Sequence, residues 1–191
     1  MKLSLPFVLL LPLVAFENSG GAAPVIGPAK DTAPTFRFAD VEYFHRWSKD
    51  DQHEFTPREQ TDLKRWADMV TVNHYRQVNS ADGLAGSANA VLETYKSNRA
   101  VVVKTDSVAR TTQKPAEHLI VVLFPRPDFI EAVFARFKLT NGVGTAVIYS
   151  HREYGAKIGD QMSAWLKANG PGLEKTLMAW DKFPAMTVSK L

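Results

Sequence analysis

The sequence predicts an α+β fold: a single domain with an antiparallel or mixed sheet of about six to seven strands packed with four to five helices. Three observations carry this expectation. Segments of period-two alternation and continuous apolar runs are interleaved with segments of helical period. Regular βαβ alternation is missing, and adjacent strands at two points read as hairpins.

Phe36 to Trp47 and Gln52 to Phe55 read as two strands joined by the polar segment Ser48, Lys49, Asp50 and Asp51. Thr56-Pro57-Arg58-Glu59 offers an N-cap, a Pro at the first helical position and a capping-box Glu. Leu63, Trp66, Ala67 and Val70 follow at helical spacing, so a helix is expected there. Val70 to Val78 alternates and reads as a half-buried strand. Leu84, Ala88, Val91, Leu92 and Tyr95 then repeat at helical intervals across 82–96.

Arg99 to Thr105 reads as a strand, 106–116 as a polar loop, and Leu119 to Phe124 as a central strand covered on both faces. Pro127-Asp128 starts a further helix, with Glu131 completing a second capping box and Ile130, Val133, Phe134 and Phe137 as its stripe. Asn141-Gly142 between two alternating stretches is a hairpin turn, because both residues tolerate positive φ. Two helices close the chain, striped by Ile158, Met162, Trp165 and Leu166 and by Leu173, Leu177 and Trp180. The Asn169-Gly170-Pro171-Gly172 segment separates them.

The chain has 191 residues, enough for one well-buried domain. Its 45% hydrophobic and 23% charged residues are those of a globular protein. A formal charge of +3, from 23 basic and 20 acidic residues, is too even to point to a nucleic-acid partner. The N-terminus differs from the rest. Met1 and Lys2 precede an apolar run from Leu3 to Phe16, and small residues follow at Ser19 to Ala23. That is the pattern of a secretory signal peptide over 1–22, with a run shorter than the roughly 20 residues a membrane helix needs. Residues 23–35 read as an extended leader, 36–184 as the domain and 185–191 as a tail. The terminal Ser-Lys-Leu resembles a peroxisomal address, which an N-terminal export signal overrides. With no cysteine, the domain has neither disulfides nor a lipoprotein anchor site, which suits a bacterial periplasm or secreted protein.

No G-x-S-x-G, H-E-x-x-H, Walker A or EF-hand pattern is present. Gly142-Val143-Gly144 lacks a third glycine and a following helix, so it reads as a turn. Histidines carry what chemistry there is. His45, His53, His74, His118 and His151 all lie in or beside predicted strands, three of them with an arginine within two residues. Strand parity puts Tyr43, His45 and Trp47 on one face and Tyr149 with His151 on one face, while the adjacent Arg152 points away. Ser150 and His151 are neighbours on a strand and therefore cannot pair as nucleophile and base. Glu117-His118 reads as a polar pair at the edge of the core.

The candidate ligand-binding residues are accordingly His45, His53, His74, Tyr149, His151 and Arg152. Imidazoles from neighbouring strands could bind an anionic group or transfer protons near neutral pH. A structural zinc site needs four ligands and no thiolate is available, so no metal or cofactor is expected. Trp66, Trp165 and Trp180 read as core, while Trp47, near a turn, is a candidate exposed anchor. The functional expectation is an exported non-catalytic bacterial envelope protein that binds a partner protein or small ligand, with no nucleic acid and no membrane span after signal cleavage. The alternative is an exported hydrolase or transferase using strand-borne His with Tyr or Glu. A third possibility is self-association through an unpaired strand at the sheet edge.

Overall fold

The computed structural model describes residues 35–182. The expected signal peptide, the expected leader up to residue 34 and the expected tail lie outside the described residues. Ten elements follow one another: β1 (Phe36–Phe38), β2 (Val41–Lys49), β3 (Gln52–Pro57), β4 (Asp68–Tyr75), α1 (Ala81–Ser97), β5 (Val101–Val108), β6 (Glu117–Pro125), β7 (Phe129–Thr140), β8 (Val143–Tyr154) and α2 (Ile158–Ala179). The strands form one sheet in the order β1-β2-β3-β4-β8-β7-β6-β5, and every pairing is antiparallel. The expectation of six to seven strands with four to five helices is therefore corrected to eight strands with two helices. The α+β class stands.

The two helices take opposite faces. Residues on paired strands share a face, so Leu119, Val121, Phe134, Arg136, Val147 and Tyr149 look one way, toward α2. This is the front. Phe124 and Glu131 look the other way, toward α1, where the Tyr95 ring meets Phe124 edge-on at 5.3 Å. The front core joins Phe38, Tyr43, Phe55, Val70 and Val72 to Met162 and Leu177 of α2. Fully burying each large apolar side chain contributes about 1.5–3 kcal/mol, so α2 is held chiefly by these contacts. The buried Arg136 guanidinium fixes the end of α2. It donates to the carbonyls of Leu177 (2.9 Å) and Trp180 (2.7 Å), two of the acceptors a helix C-terminus leaves open, and to Glu117 Oε2 (2.7 Å).

Several elements form where they were expected, including α1, β4, β6 and the Asn141-Gly142 hairpin. Asn141 (φ 50°) and Gly142 (φ 79°) occupy the left-handed region that this turn requires. Ser80 caps α1 by accepting from Gly83 N at 3.1 Å.

Four expectations are overturned. The single strand from 36 to 47 is two strands, because Ala39 (φ 46°) and Asp40 (φ 64°) make a tight turn. No helix follows Thr56. Its hydroxyl donates to Gln60 O and accepts from Arg46 Nε (2.9 Å), and those contacts close a turn there. Pro127–Phe137 does not open a helix but lies largely in β7, whose central residues are buried on both faces. The two closing helices are one, running through Pro171 at the loss of one backbone hydrogen bond. Gly170 is buried within the helix, where an added Cβ would meet the Phe134 ring at an ordinary 3.8 Å, and the glycine does not break the helix.

Candidate functional site

Three of the expected histidines meet on the front face, one from each of β2, β3 and β4. Register alone brings His53 beside Val72 and Ser48 opposite His53. A bulge between His45 and Trp47 supplies the rest. It inserts Arg46 as the extra residue, so His45 pairs with Phe55 on the front while Trp47 pairs with Glu54 on the back. The expectation that Trp47 shares the His45 face is thereby corrected. The same slip returns Ser48 to the front.

The result is a polar row. Ser48 Oγ lies 2.6 Å from His45 Nε2 and 2.7 Å from His53 Nδ1, so its hydroxyl donates to one ring and accepts from the other. The His45 and His53 rings are 6.4 Å apart, and those of His53 and His74 are 6.0 Å apart. His74 Nδ1 reaches Thr145 Oγ1 at 3.3 Å, and its Nε2 is buried with no hydrogen-bond partner among the described residues. Burial first, then the neighbouring His74 and His45, holds the His53 pKa below its ordinary value against the opposing pull of Asp51. Burial likewise lowers His74, again opposed by Asp51. Asp51 is itself engaged by the Arg76 guanidinium, with Nε 2.8 Å from both carboxylate oxygens. The row is therefore neutral at pH 7 at His53 and His74, and its members His45 and Ser48 are exposed. Among the described residues, no group of three or more His, Asp or Glu is arranged to hold a metal ion.

Tyr149 and His151 also share the front face but form a separate group. Asp68 opposes His151 in register, six residues along β4 from His74, or roughly 20 Å at about 3.3 Å per residue. Asp68 Oδ1 accepts from Tyr149 OH (2.6 Å) and from His151 Nδ1–H (2.9 Å). His151 lies flat on Trp165, with ring centroids 3.9 Å apart and planes within 2°. Burial would raise the Asp68 carboxyl, yet the hydrogen bonds from His151 and Tyr149 outweigh it and hold its pKa below the usual range. Burial and the adjacent Asp68 charge push the Tyr149 phenol well above its ordinary value.

Arg152 belongs to neither group. It points to the back face, donates to the buried Glu131 at 2.9 Å, and lies over the Trp66 ring at 3.8 Å and the Phe129 ring at 4.2 Å. Trp66 is buried as expected, though in a turn segment rather than on a helix. Glu117 and His118 also part company: Glu117 binds Arg136 on the front, and His118 Nδ1 lies 2.8 Å from Ser107 Oγ on the back.

Ser48 and Asp68 are the functional residues that sequence reasoning missed. Asp68 shares parity with Val70, Val72 and His74, so extending that alternation backwards finds it. The Ser48 position depends on the bulge, which leaves no mark in the pattern.

No family model matches the chain, and no curated protein matches it. Similar solved structures include the Ran-binding protein Mog1p of Saccharomyces cerevisiae, at 9% identity and a TM-score of 0.44, covering 71% of this chain and 81% of that one. Human STARD10 is another, at 9% identity and a TM-score of 0.30, covering 72% of this chain and 74% of that one. At such identity and TM-score neither likeness bears on function. Among the described residues, no helix is long and apolar enough to cross a membrane.

Proposed function

We propose that this is an exported, non-catalytic binding protein of the bacterial cell envelope, and that its front-face imidazole row holds a small ligand bearing an anionic oxygen. One observation carries the reading: His45 and His53 share Ser48 through short polar contacts, and the His74 ring of the next strand lies 6.0 Å from that of His53. Hydroxyl and imidazole donors suit an anionic acceptor, and the Arg76 contact offsets the one nearby carboxylate, Asp51. Because His53 and His74 have lowered pKa values, they gain charge only below about 6.5, the ordinary imidazole value. Ligand affinity accordingly strengthens as the pH falls through that window. The export part of the reading is motivated by the N-terminal signal pattern and the absence of cysteine.

The test is a histidine-ring NMR titration with inorganic phosphate at pH 5.5 and 7.5. The His45, His53 and His74 rings should shift together, with tighter binding at the lower pH. Shifts confined to His118, or none at either pH, would refute the reading. N-terminal sequencing of the protein from a periplasmic fraction should begin at residue 23, and a retained Met1 would sink the export component.

A second reading, an exported hydrolase or transferase, is favoured by the contact between Ser48 Oγ and the neutral His53. A Ser–base pair is the start of nucleophilic catalysis. Against it, Ser107 and His118 form the same cross-strand contact on the back face, so the geometry arises from register alone. Covalent labelling of Ser48 by a fluorophosphonate, lost in His53→Ala, would establish the second reading over the first.

A further inference from the structure

The two ends of the sheet are unlike. β1 is three residues long, and both of its phenylalanines pack inward, Phe36 on Tyr43 and Phe38 on Tyr149. β5, at the other end, is eight residues long and exposed along its whole length. Of the five large apolar residues exposed among the described residues, four are on β5: Val101, Val102, Val103 and Val108. One long edge of β5 pairs with β6, and the other presents backbone donors and acceptors with no neighbouring strand in the sheet.

We propose that β5 pairs antiparallel with β5 of a second copy of this chain, across a twofold axis at Thr105, to make one continuous sheet through the dimer. The proposal is independent of the imidazole row. Its basis is that β5 is complementary to itself in one register. Pairing with β6 puts Lys104, Asp106 and Val108 on the front and Thr105 and Ser107 on the back. Directly opposed residues must share a face, so between Lys104 and Val108 the axis must pass through a residue and not between two. An axis at Lys104 sets two ammonium groups against each other, and one at Asp106 sets two carboxylates against each other, both unfavourable.

An axis at Thr105 sets Lys104 of each copy opposite Asp106 of the other, giving two reciprocal ion pairs. The bulge between Val102 and Lys104 extends the match. It omits Val103 from the ladder, so Val101 comes opposite Val108 of the second copy, front face to front face. Lys104 already lies 3.4 Å from Asp106 and 2.6 Å from Glu174 within its own chain, so the paired charges are held in position before the strands meet. A lysine on an edge strand ordinarily discourages pairing. Here it opposes the register that sets it against its own copy and favours the one that sets it opposite Asp106. The closed twofold arrangement consumes the β5 edge of each copy and leaves only the three-residue β1 edges at the two ends of the joined sheet.

Sedimentation velocity of the purified protein over a concentration series tests this, read together with hydrogen exchange. A single strand edge is a small interface, so a reversible, concentration-dependent dimer is expected, with β5 amides gaining protection as the dimer forms. Lys104→Asp alone and Asp106→Lys alone should each weaken association by about tenfold or more, since each opposes like charges twice. The double exchange K104D/D106K should restore it. That rescue distinguishes the proposed register from mere loss of a surface charge, and neither residue is needed for the core. A protein that stays monomeric at every concentration would overturn the proposal. So would a dimer in which β5 exchanges as fast as in the monomer, a dimer indifferent to both single reversals, or capture of β5 by a different protein with no self-association.

Discussion

The front face carries two histidine groups that differ in how completely their polar atoms are used. At one end of β4, His151 is 8% exposed, donates to Asp68, stacks on Trp165 and has its second nitrogen 3.3 Å from Glu153. Both ring nitrogens and the ring face are engaged by the protein. At the other end, His45, Ser48, His53 and His74 touch mainly one another, and His74 Nε2 has no hydrogen-bond partner among the described residues. Fully satisfied buried polar groups rigidify a core, whereas groups left with spare valences are where a ligand finds partners. Sharing a residue type and a sheet face, the two groups divide into a structural centre and the proposed binding surface.

The largest effect that would sharpen this division is expected from Asp68→Ala. It leaves Tyr149 OH and His151 Nδ1 without their shared acceptor, and each buried orphan costs roughly 1–3 kcal/mol. Urea unfolding should show a loss of about 3 kcal/mol, while phosphate affinity at the imidazole row is unchanged. A loss below about 0.5 kcal/mol would mean that the His151 group is not structural. Next comes Trp165→Leu, which removes the ring stacked on His151 and facing Phe134 and Tyr149. Lost stacking and packing should together cost about 2 kcal/mol in the same measurement.

The pH dependence of stability separates the groups without mutation. His53 and His74 have folded pKa values below the unfolded value of about 6.5, so the unfolded chain takes up protons first as pH falls. Their contribution is present above pH 6.5 and is lost as pH falls through their folded values. Asp68 behaves likewise in a lower window, since its folded pKa is also depressed: stability present above about 3.9 is lost as pH falls toward the folded value. Urea titrations across pH should therefore show two separate declines. The upper one should shrink in a His53→Asn, His74→Gln double variant, and the lower one in Asp68→Asn. A single decline removed by either variant would show that the two ends act as one unit.

How legible all this was in the sequence depended on where polar residues were spent. Val70, Val72 and His74 alternate with the polar Thr71 and Asn73, so the period of two was visible and β4 formed where the pattern put it. In β7 the same logic failed, because Asp128 and Glu131 read as a capping box and because Glu131 and Arg136 are not turned to water. Both are buried in ion pairs, Glu131 with Arg152 and Arg136 with Glu117 and Asp181, so β7 is covered on both faces and its period of two is hidden. Pro171 misled for a related reason: packing of Leu177 and Met162 outweighs one lost helical hydrogen bond. The convergence of His45, His53 and His74 was visible as a possibility from strand parity, but their order across the sheet was not. The bulge that recruits Ser48 is a property of pairing, which no single strand records.

Ser48→Ala offers the smallest effect on stability and the cleanest test of the comparison. Ser48 is exposed, so deleting its hydroxyl should alter unfolding by no more than about 0.5 kcal/mol. Its place between His45 Nε2 and His53 Nδ1 nevertheless couples the tautomer of one ring to that of the other. Without it each ring is free to adopt either tautomer independently, and its N–H is no longer held ready for an anionic oxygen. A hydrogen bond to a charged group contributes about 1.5–3 kcal/mol, so phosphate affinity should fall by roughly tenfold or more. The ring nitrogen shifts of His45 and His53 should move toward averaged values, and those of His151 should stay fixed. If Ser48→Ala instead destabilises the fold as Asp68→Ala does, the imidazole row is a second structural centre and the ligand must bind elsewhere.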